Sequence, residues 1–487
     1  MGGKLNDWAI GVEDELRQMA TTETHADQMQ PWEKQSIYKV PEYVRDLNQK
    51  AYKPQLVSFG PFHHMEPHLE PMEKHKRRAL LHFLKRSQRS LESYLGSLAK
   101  VAQSLKDSYE SLDCGWEADT DRFLMMMILD GCFMLEVLRT CTLQKLDYGP
   151  SDPIFSYHGK LHIMPSIRRD MIMLENQLPM LLLTTLLAVE NEPNGSGSRT
   201  GSSVYALISC SFTTCVQEDE EFVNKLILKF CYGNPWLEVD IGIGKCLHLL
   251  DVYRKSLLMV DFRKPKTCNG GTPPATREGY DDVVIRYVMD NEVIRPAMDL
   301  SDAGIRFKKS RSPSLKDISF AGGVLSLPPL LVTEGTESMF LNLIAFERFH
   351  VGVKNEVTSY IFFISKIIDS ADDVTLLHTH GIIQNALGSD NDVARLFNSL
   401  AIIDVTTLDL DSGLDLLHRR VISYWKDRRA RVYLMRSYFR NPWAILSFIA
   451  AVFLFVFTLM QTAYTIIQYY DPENPLSLPP SPPTTPS

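Results

Sequence analysis

The chain has 487 residues, 45% of them hydrophobic and 23% charged, which excludes a disordered or collagen-like polymer and allows two or three folding units. Its formal net charge of -8 argues against a general nucleic-acid binder, because the basic residues gather near the C-terminal end instead of lining a groove. Cysteines at 114, 132, 141, 210, 215, 231, 246 and 268 form no C-x-x-C pair and read as buried, reduced thiols of a cytosolic body.

Residues 1–35 are polar and weakly patterned, and read as a loosely attached arm. The opening Met1-Gly2-Gly3-Lys4-Leu5-Asn6 has no apolar h-region, so no cleavable signal peptide is expected. Asn6 also stands where a myristoylation signal wants Ser or Thr. Residues 36–262 form the expected mainly helical N-terminal lobe. It begins with Ile37-Tyr38-Lys39-Val40-Pro41 and Pro54-Gln55-Leu56-Val57-Ser58-Phe59-Gly60-Pro61-Phe62-His63-His64, whose Pro and Gly content predicts extended segments and turns.

From Met72 to about Lys106, apolar residues at steps of three and four predict one long helix. Lys74, Lys76, Arg77, Arg78, Lys85, Arg86 and Arg89 on its first half read as a solvated face, with an acidic partner or a membrane contact as the sharper reading. Phe123–Leu138 and Met171–Val189 are nearly all apolar, but neither offers the uncharged run of about 18 residues that a membrane span needs. Both are expected in the core, where Asp130, Glu136 and Glu175 require partners; Arg139, Arg168 and Arg169 are the candidates. Buried ion pairs and a catalytic carboxylate look alike at this stage.

Asn191–Ser203 reads as a loop and carries the sequon Asn194-Gly195-Ser196. Helical segments follow near Glu220–Phe230 and Lys245–Val260. The Pro/Gly-rich residues 263–280 are the expected linker to a second, α+β lobe at 281–440. There, Gly304–Lys308, Lys316–Phe320 and Val324–Leu327 predict a small sheet, and the pattern from Glu337 onward is helical.

Residues 443–467 contain no charge, and at about 1.5 Å per residue they exceed a hydrocarbon core of about 30 Å. They predict one transmembrane helix, with Trp443 and Tyr464, Tyr469 and Tyr470 as interfacial aromatics. Arg419, Arg420, Lys426, Arg428, Arg429, Arg431, Arg436 and Arg440 precede it, opposed by Asp427; only Asp471 and Glu473 follow. The positive-inside rule then puts the body in the cytosol and the Pro-rich tail 468–487 across the membrane, with the plasma membrane the expected site. Anionic lipid is the expected partner of the basic cluster.

Catalytic motifs fail on inspection. Gly242-Ile243-Gly244-Lys245-Cys246 lacks both the earlier Gly (Val239 stands there) and the following Ser or Thr of a phosphate loop. His63, His64, His68 and His75, with Glu66, Glu70 and Glu73, could hold zinc, but Pro67 and Pro71 break regular geometry, so a polar surface lead-in to a helix is expected. No catalytic, cofactor-binding or metal-ligating residue is assigned.

Ile37–Pro41, Val57–His63, Leu129-Asp130-Gly131-Cys132-Phe133, Met173-Leu174-Glu175-Asn176-Gln177-Leu178-Pro179, Ala303–Phe307 and Leu341–Glu347, with the span after Asn441-Pro442-Trp443, together resemble the plant "domain of unknown function 247" family over residues 36–470. The resemblance implies a green-plant source, a single-pass membrane protein and no established catalytic residues. Grass members are associated with the pollen side of self-incompatibility. The expected fold is mainly α (α+β), a multi-helix body with a small β element and one C-terminal transmembrane helix. The expected function is non-enzymatic recognition or signalling through an unidentified protein or peptide. The alternative is an enzyme using Asp130, Glu136 or Glu175 in a cleft.

Overall fold

In a computed structural model of the chain, residues 34–46, 48–140, 147–192, 212–234, 242–259, 294–400, 412–428 and 442–470 are described. Nearly all of the arm, the linker at 263–280, Asn194, the tail beyond Tyr470 and Arg429, Arg431, Arg436 and Arg440 lie outside the described residues.

The architecture is mainly α with a small β element. Two short helices, α1 (Glu42–Arg45) and α2 (Gln49–Tyr52), separate the first two extended stretches. The predicted long helix is two: α3 (Glu73–Ser87) and α4 (Leu91–Asp107). Gln88 turns left-handed at φ 53°, and the Ser90 hydroxyl caps the new helix by accepting from Ser93 N. A short α5 (Cys114–Ala118) leads to α6 (Thr120–Arg139), the central helix, started by Asp119 accepting from Arg122 N. Every residue from Asp130 to Arg139 is buried, so the second half of α6 is enclosed on all sides.

The predicted helix over Met171–Val189 is also broken. After α7 (Tyr157–His162), α8 (Met164–Met171) ends in a 3-10 turn at Leu174–Asn176, and α9 (Met180–Asn191) leaves at 101°. Pro179 bars helical continuity, and Gln177 Nε2 bonds the carbonyls of Met171 (2.7 Å) and Met173 (2.6 Å). Both segments are buried in the core, as expected. Next come α10 (Phe212–Cys231), α11 (Leu249–Leu258) and α12 (Ala297–Asp302).

The predicted sheet is present as β1 (Arg306–Lys309), β2 (Ser319–Ala321) and β3 (Val324–Leu327) in order β1-β3-β2, with β1 parallel and β2 antiparallel to β3. A second pair, β4 (Leu330–Val332) and β5 (Ile383–Asn385), was not predicted. Helices α13 (Thr336–Phe349), α14 (Glu356–Ile367), α15 (Ala371–Thr379) and α16 (Asp390–Leu400) fill the second half, and α17 (Ser412–Asp427) follows. Buried apolar side chains from Ile37 to Val421 form one contiguous cluster, in which α2 packs on α13 and α11 on α14. Among the described cysteines, Cys132 and Cys246 are buried, Cys231 is partly buried, and Cys114 is exposed, unlike the expected buried set.

The last helix, α18 (Pro442–Tyr470), has 29 residues, and Leu446–Tyr470 is long and apolar enough to cross a membrane. None of that stretch is buried against the body. Hydroxyls of Ser447, Thr458, Thr462 and Thr465 donate to carbonyls one turn back, which satisfies the polar atoms within the helix itself.

Candidate functional site: a buried polar clamp

The stretch Pro54–His63 joins no sheet or helix, yet most of it is buried. Its backbone N–H groups therefore need acceptors, and side chains from the middle of the chain provide them. Asp170, in the last turn of α8, accepts from Gln55 N (3.1 Å), Leu56 N (2.7 Å) and Val57 N (3.1 Å). Asn176 accepts from Phe59 N (2.6 Å) and donates to Val57 O (3.0 Å). Asp130 on α6 accepts from Gly60 N (2.9 Å). Gly60 sits at φ 74°, where a Cβ would stand 2.8 Å from the Tyr109 hydroxyl and 3.0 Å from Gln177 O.

Two charge clusters close the clamp. Lys76 is fully buried, with Nζ 2.7 Å from Asp130 Oδ1, 2.6 Å from Glu73 Oε1 and 3.1 Å from Ser58 Oγ. Burial pushes the Asp130 carboxyl up to about 6, against the pull of Lys76 in the other direction. At the other end, Glu175 accepts from Val40 N (2.6 Å), faces His63 Nε2 at 3.0 Å and has Arg45 at 3.5 Å. The other nitrogen of His63, Nδ1, lies 2.7 Å from Glu66. A carboxylate stands on each side of the ring, which favours the imidazolium form of His63. Burial alone would lower its pKa; Glu175 and Glu66 override that and raise it.

Glu136 makes a third cluster, with Arg86, Arg139 at 3.3 Å and the Tyr148 hydroxyl at 2.9 Å. A fourth joins the two halves of the chain. Asn342 on α13 accepts from Leu174 N (2.8 Å) and donates to Ala51 O (2.8 Å). Nearby, Glu347 accepts from Arg254, Val357 N and Thr358 N.

The three carboxylates singled out from the sequence are thus all engaged, but with other partners than expected. Only the Glu136–Arg139 pair was foreseen. Arg168 lies over the Phe230 ring, and Arg169 donates to Lys50 O. The solvated-face reading of α3 fails for the buried Lys76; Arg86 is exposed and Arg78 partly so, and they pair with Glu136 and with Asp152 at 3.0 Å. His63, expected at the surface, is 3% exposed; His64 packs edge-on against Trp116, and His68 bonds Pro54 O. Among the described residues no three His, Cys, Asp or Glu side chains are grouped to hold a metal ion.

Asp170, Lys76 and Asn342 were missed. Lys76 announces itself in the spacing, since Met72, Lys76, Ala79 and Phe83 lie at steps of four, three and four on the buried face. Asn342 is flanked by Leu341 and Leu343, the signature of a buried amide. Each oxygen of Asp130, Glu136, Asp170 and Glu175 faces an N–H, an O–H or a cation. A small, open pocket lies elsewhere, between Phe362, Phe363 and Lys366 of α14 and Leu414, Asp415 and His418 of α17. Asp130, Glu136 and Glu175 do not line it.

Most of the motifs noted in the sequence enter this one network: Val40, Val57–His63, Asp130, Glu175–Gln177, Asn342 and Glu347. The family model for DUF247, plant protein of unknown function, matches residues 37–457. The chain belongs to the DUF247 family. Two Arabidopsis thaliana relatives are similar along most of their length. UPF0481 protein At3g47200 is 29% identical, covering 89% of this chain and 86% of the relative. Putative UPF0481 protein At3g02645 is 24% identical, covering 88% and 89%. No solved structure matches.

Proposed function

We propose that this DUF247 protein is a membrane-anchored, non-enzymatic recognition or signalling protein that binds another protein or a peptide. The supporting observation is α18, an apolar helix of membrane-spanning length with no seat in the body. The second support is the saturation of the buried carboxylates, which act as acceptors for backbone and cations and stiffen the body as a scaffold. In this reading the body faces the cytosol at the plasma membrane. The juxtamembrane basic residues Arg419, Arg420, Lys426 and Arg428 contact anionic lipid, and the Pro-rich tail crosses. Pollen-side recognition, the role associated with grass members, is one use that such a protein would serve.

Protease protection on intact vesicles, read together with modification at Asn194, tests the arrangement. A body digested from the cytosolic side with an unmodified Asn194 is the expected result. A glycan on Asn194 overturns the topology. Crosslinking in membranes that enriches no protein over the isolated anchor segment would remove the recognition half of the proposal.

A further inference from the structure

The small sheet presents an unusual outer face. On β1, Phe307 points inward and is buried, while Arg306 and Lys308 point out and are exposed. The register places Arg306 beside Val324 and Ala321, and Lys308 beside Ser326 and Ser319. The outer face is therefore flat, with two cations among small side chains and no carboxylate on any of its three strands. Lys309 at the end of the strand and Arg311 beyond it are exposed as well. Among the described residues none of Arg306, Lys308, Lys309 and Arg311 forms an ion pair.

The sheet is joined to the helix that leads to the anchor. Arg306 N donates to Gly323 O (2.8 Å), and Gly323 has no room for a side chain because the Tyr424 hydroxyl lies against it. Phe320 packs edge-on against Tyr424 at 5.4 Å, and the Arg428 guanidinium covers the Tyr424 ring at 4.6 Å. A Cβ on Gly304 would come 3.4 Å from Arg428 Nη1. Arg428 thus stands at the same end of the sheet as Arg306. Residues 429–441 separate Arg428 from α18, a tether that reaches at most about 50 Å when fully extended and about 20 Å as helix.

We infer that the outer face of the β1-β3-β2 sheet is a membrane-docking surface that binds anionic phospholipid headgroups through Arg306 and Lys308. The inference rests on reading α18 as an anchor with the body on the side of its basic flank. Flatness favours lipid over a peptide, since the strands offer no groove between large side chains for a peptide to fill. The tether keeps the bilayer within reach at all times, and cations within about 8 Å of an anionic surface feel it at physiological salt. Of the carboxylates close in the chain, Asp317 is taken up by Ser312 N (2.8 Å), and Asp302 and Asp427 lie outside the strands. Docking here would hold the body in one orientation on the leaflet, where the juxtamembrane cluster alone would leave it free to swivel.

The test uses the full chain reconstituted in nanodiscs of phosphatidylcholine, with or without phosphatidylglycerol, and amine acylation at each lysine read by mass spectrometry. Acylation of Lys308 is expected to slow several-fold when phosphatidylglycerol is present and to recover at high salt. Lys100, exposed on α4, serves as the internal reference and should not change. Arg306→Glu should abolish the slowing at Lys308, and Arg306→Lys should keep it. A chain that enters nanodiscs but acylates at Lys308 equally with and without phosphatidylglycerol overturns the docking face and leaves the anchor standing. A chain that does not enter nanodiscs overturns both.

Discussion

His63 is the residue whose state depends most directly on its neighbours. Its imidazolium bridges Glu175 and Glu66, and its pKa is raised, so the stability it contributes is complete below about 6.5 and is lost as the pH rises through the folded value. His63→Gln should cost about 3–5 kcal/mol near pH 6, as expected for breaking a buried pair. The gap in melting temperature between this variant and the native chain should then narrow toward alkaline pH; a gap independent of pH would refute the imidazolium. Lys76 poses the complementary case. Lys76→Met leaves the Asp130 carboxylate buried without its cation and should destabilise by about 3–5 kcal/mol in thermal melts. Adding Asp130→Asn should recover part of the loss, since the amide oxygen still accepts from Gly60 N and the fully buried charge is gone, leaving only the partly exposed Glu73. If the double variant melts no higher than Lys76→Met, the charge was not the cause. Two other groups set opposing slopes in acid. Asp130, raised to about 6, favours the native state as the pH falls from about 6 to 3.8, whereas His248, lowered to about 4 by burial, disfavours it as the pH falls from 6.5 to about 4.

At the scale of elements, the molecule depends on one extended strand-like stretch held by side chains in place of a sheet. The turn at Gly60 has no space for a methyl group, and one of the two close neighbours is the Gln177 carbonyl, which cannot rotate away. Gly131 on α6 is tight for a different reason: a Cβ would lie 2.6 Å from Leu186 Cδ1 and 3.2 Å from Leu182 Cδ2 of α9, both ends of flexible side chains. Gly131→Ala should therefore cost about 1–3 kcal/mol by overpacking. Gly60→Ala, which adds a left-handed backbone to the clash, should cost more. Equal melting temperatures for the two variants would contradict this ordering. The same contrast explains which elements were legible. Helix α6, the three-stranded sheet and α18 follow from local spacing and composition, and all three are present. The breaks at Gln88 and at Met173–Pro179 were not anticipated, because apolar residues keep helical spacing across both. In the second, Pro179 and the side-chain bonds of Asn176 and Gln177 outweigh the apolar pattern.

Across the whole molecule, the two expected lobes share one contiguous apolar core and are stitched by Asn342, whose amide bonds both Ala51 O and Leu174 N. Removing it orphans the buried Leu174 N and leaves Ala51 O with the Ser338 hydroxyl alone. Asn342→Ala should lower stability by about 2–3 kcal/mol and shift the unfolding of both halves together in hydrogen exchange. Loss of protection confined to residues 294–400 would show that the halves unfold separately.

The sequence by itself determined the helical class, the family and the membrane-length helix, because each is written in local periodicity, in runs of residues or in the absence of charge. It also marked Asp130, Glu136 and Glu175 as needing partners, since an isolated carboxylate in an apolar helix is untenable. Only the tertiary structure decided who those partners are. Lys76, His63 and the N–H groups of Val40 and Gly60 lie from 54 to 135 residues away along the chain, and no local pattern encodes which distant donor reaches a given oxygen. That choice is made by packing, where the last free lone pair and the last free N–H are brought together by elements whose own formation says nothing about each other.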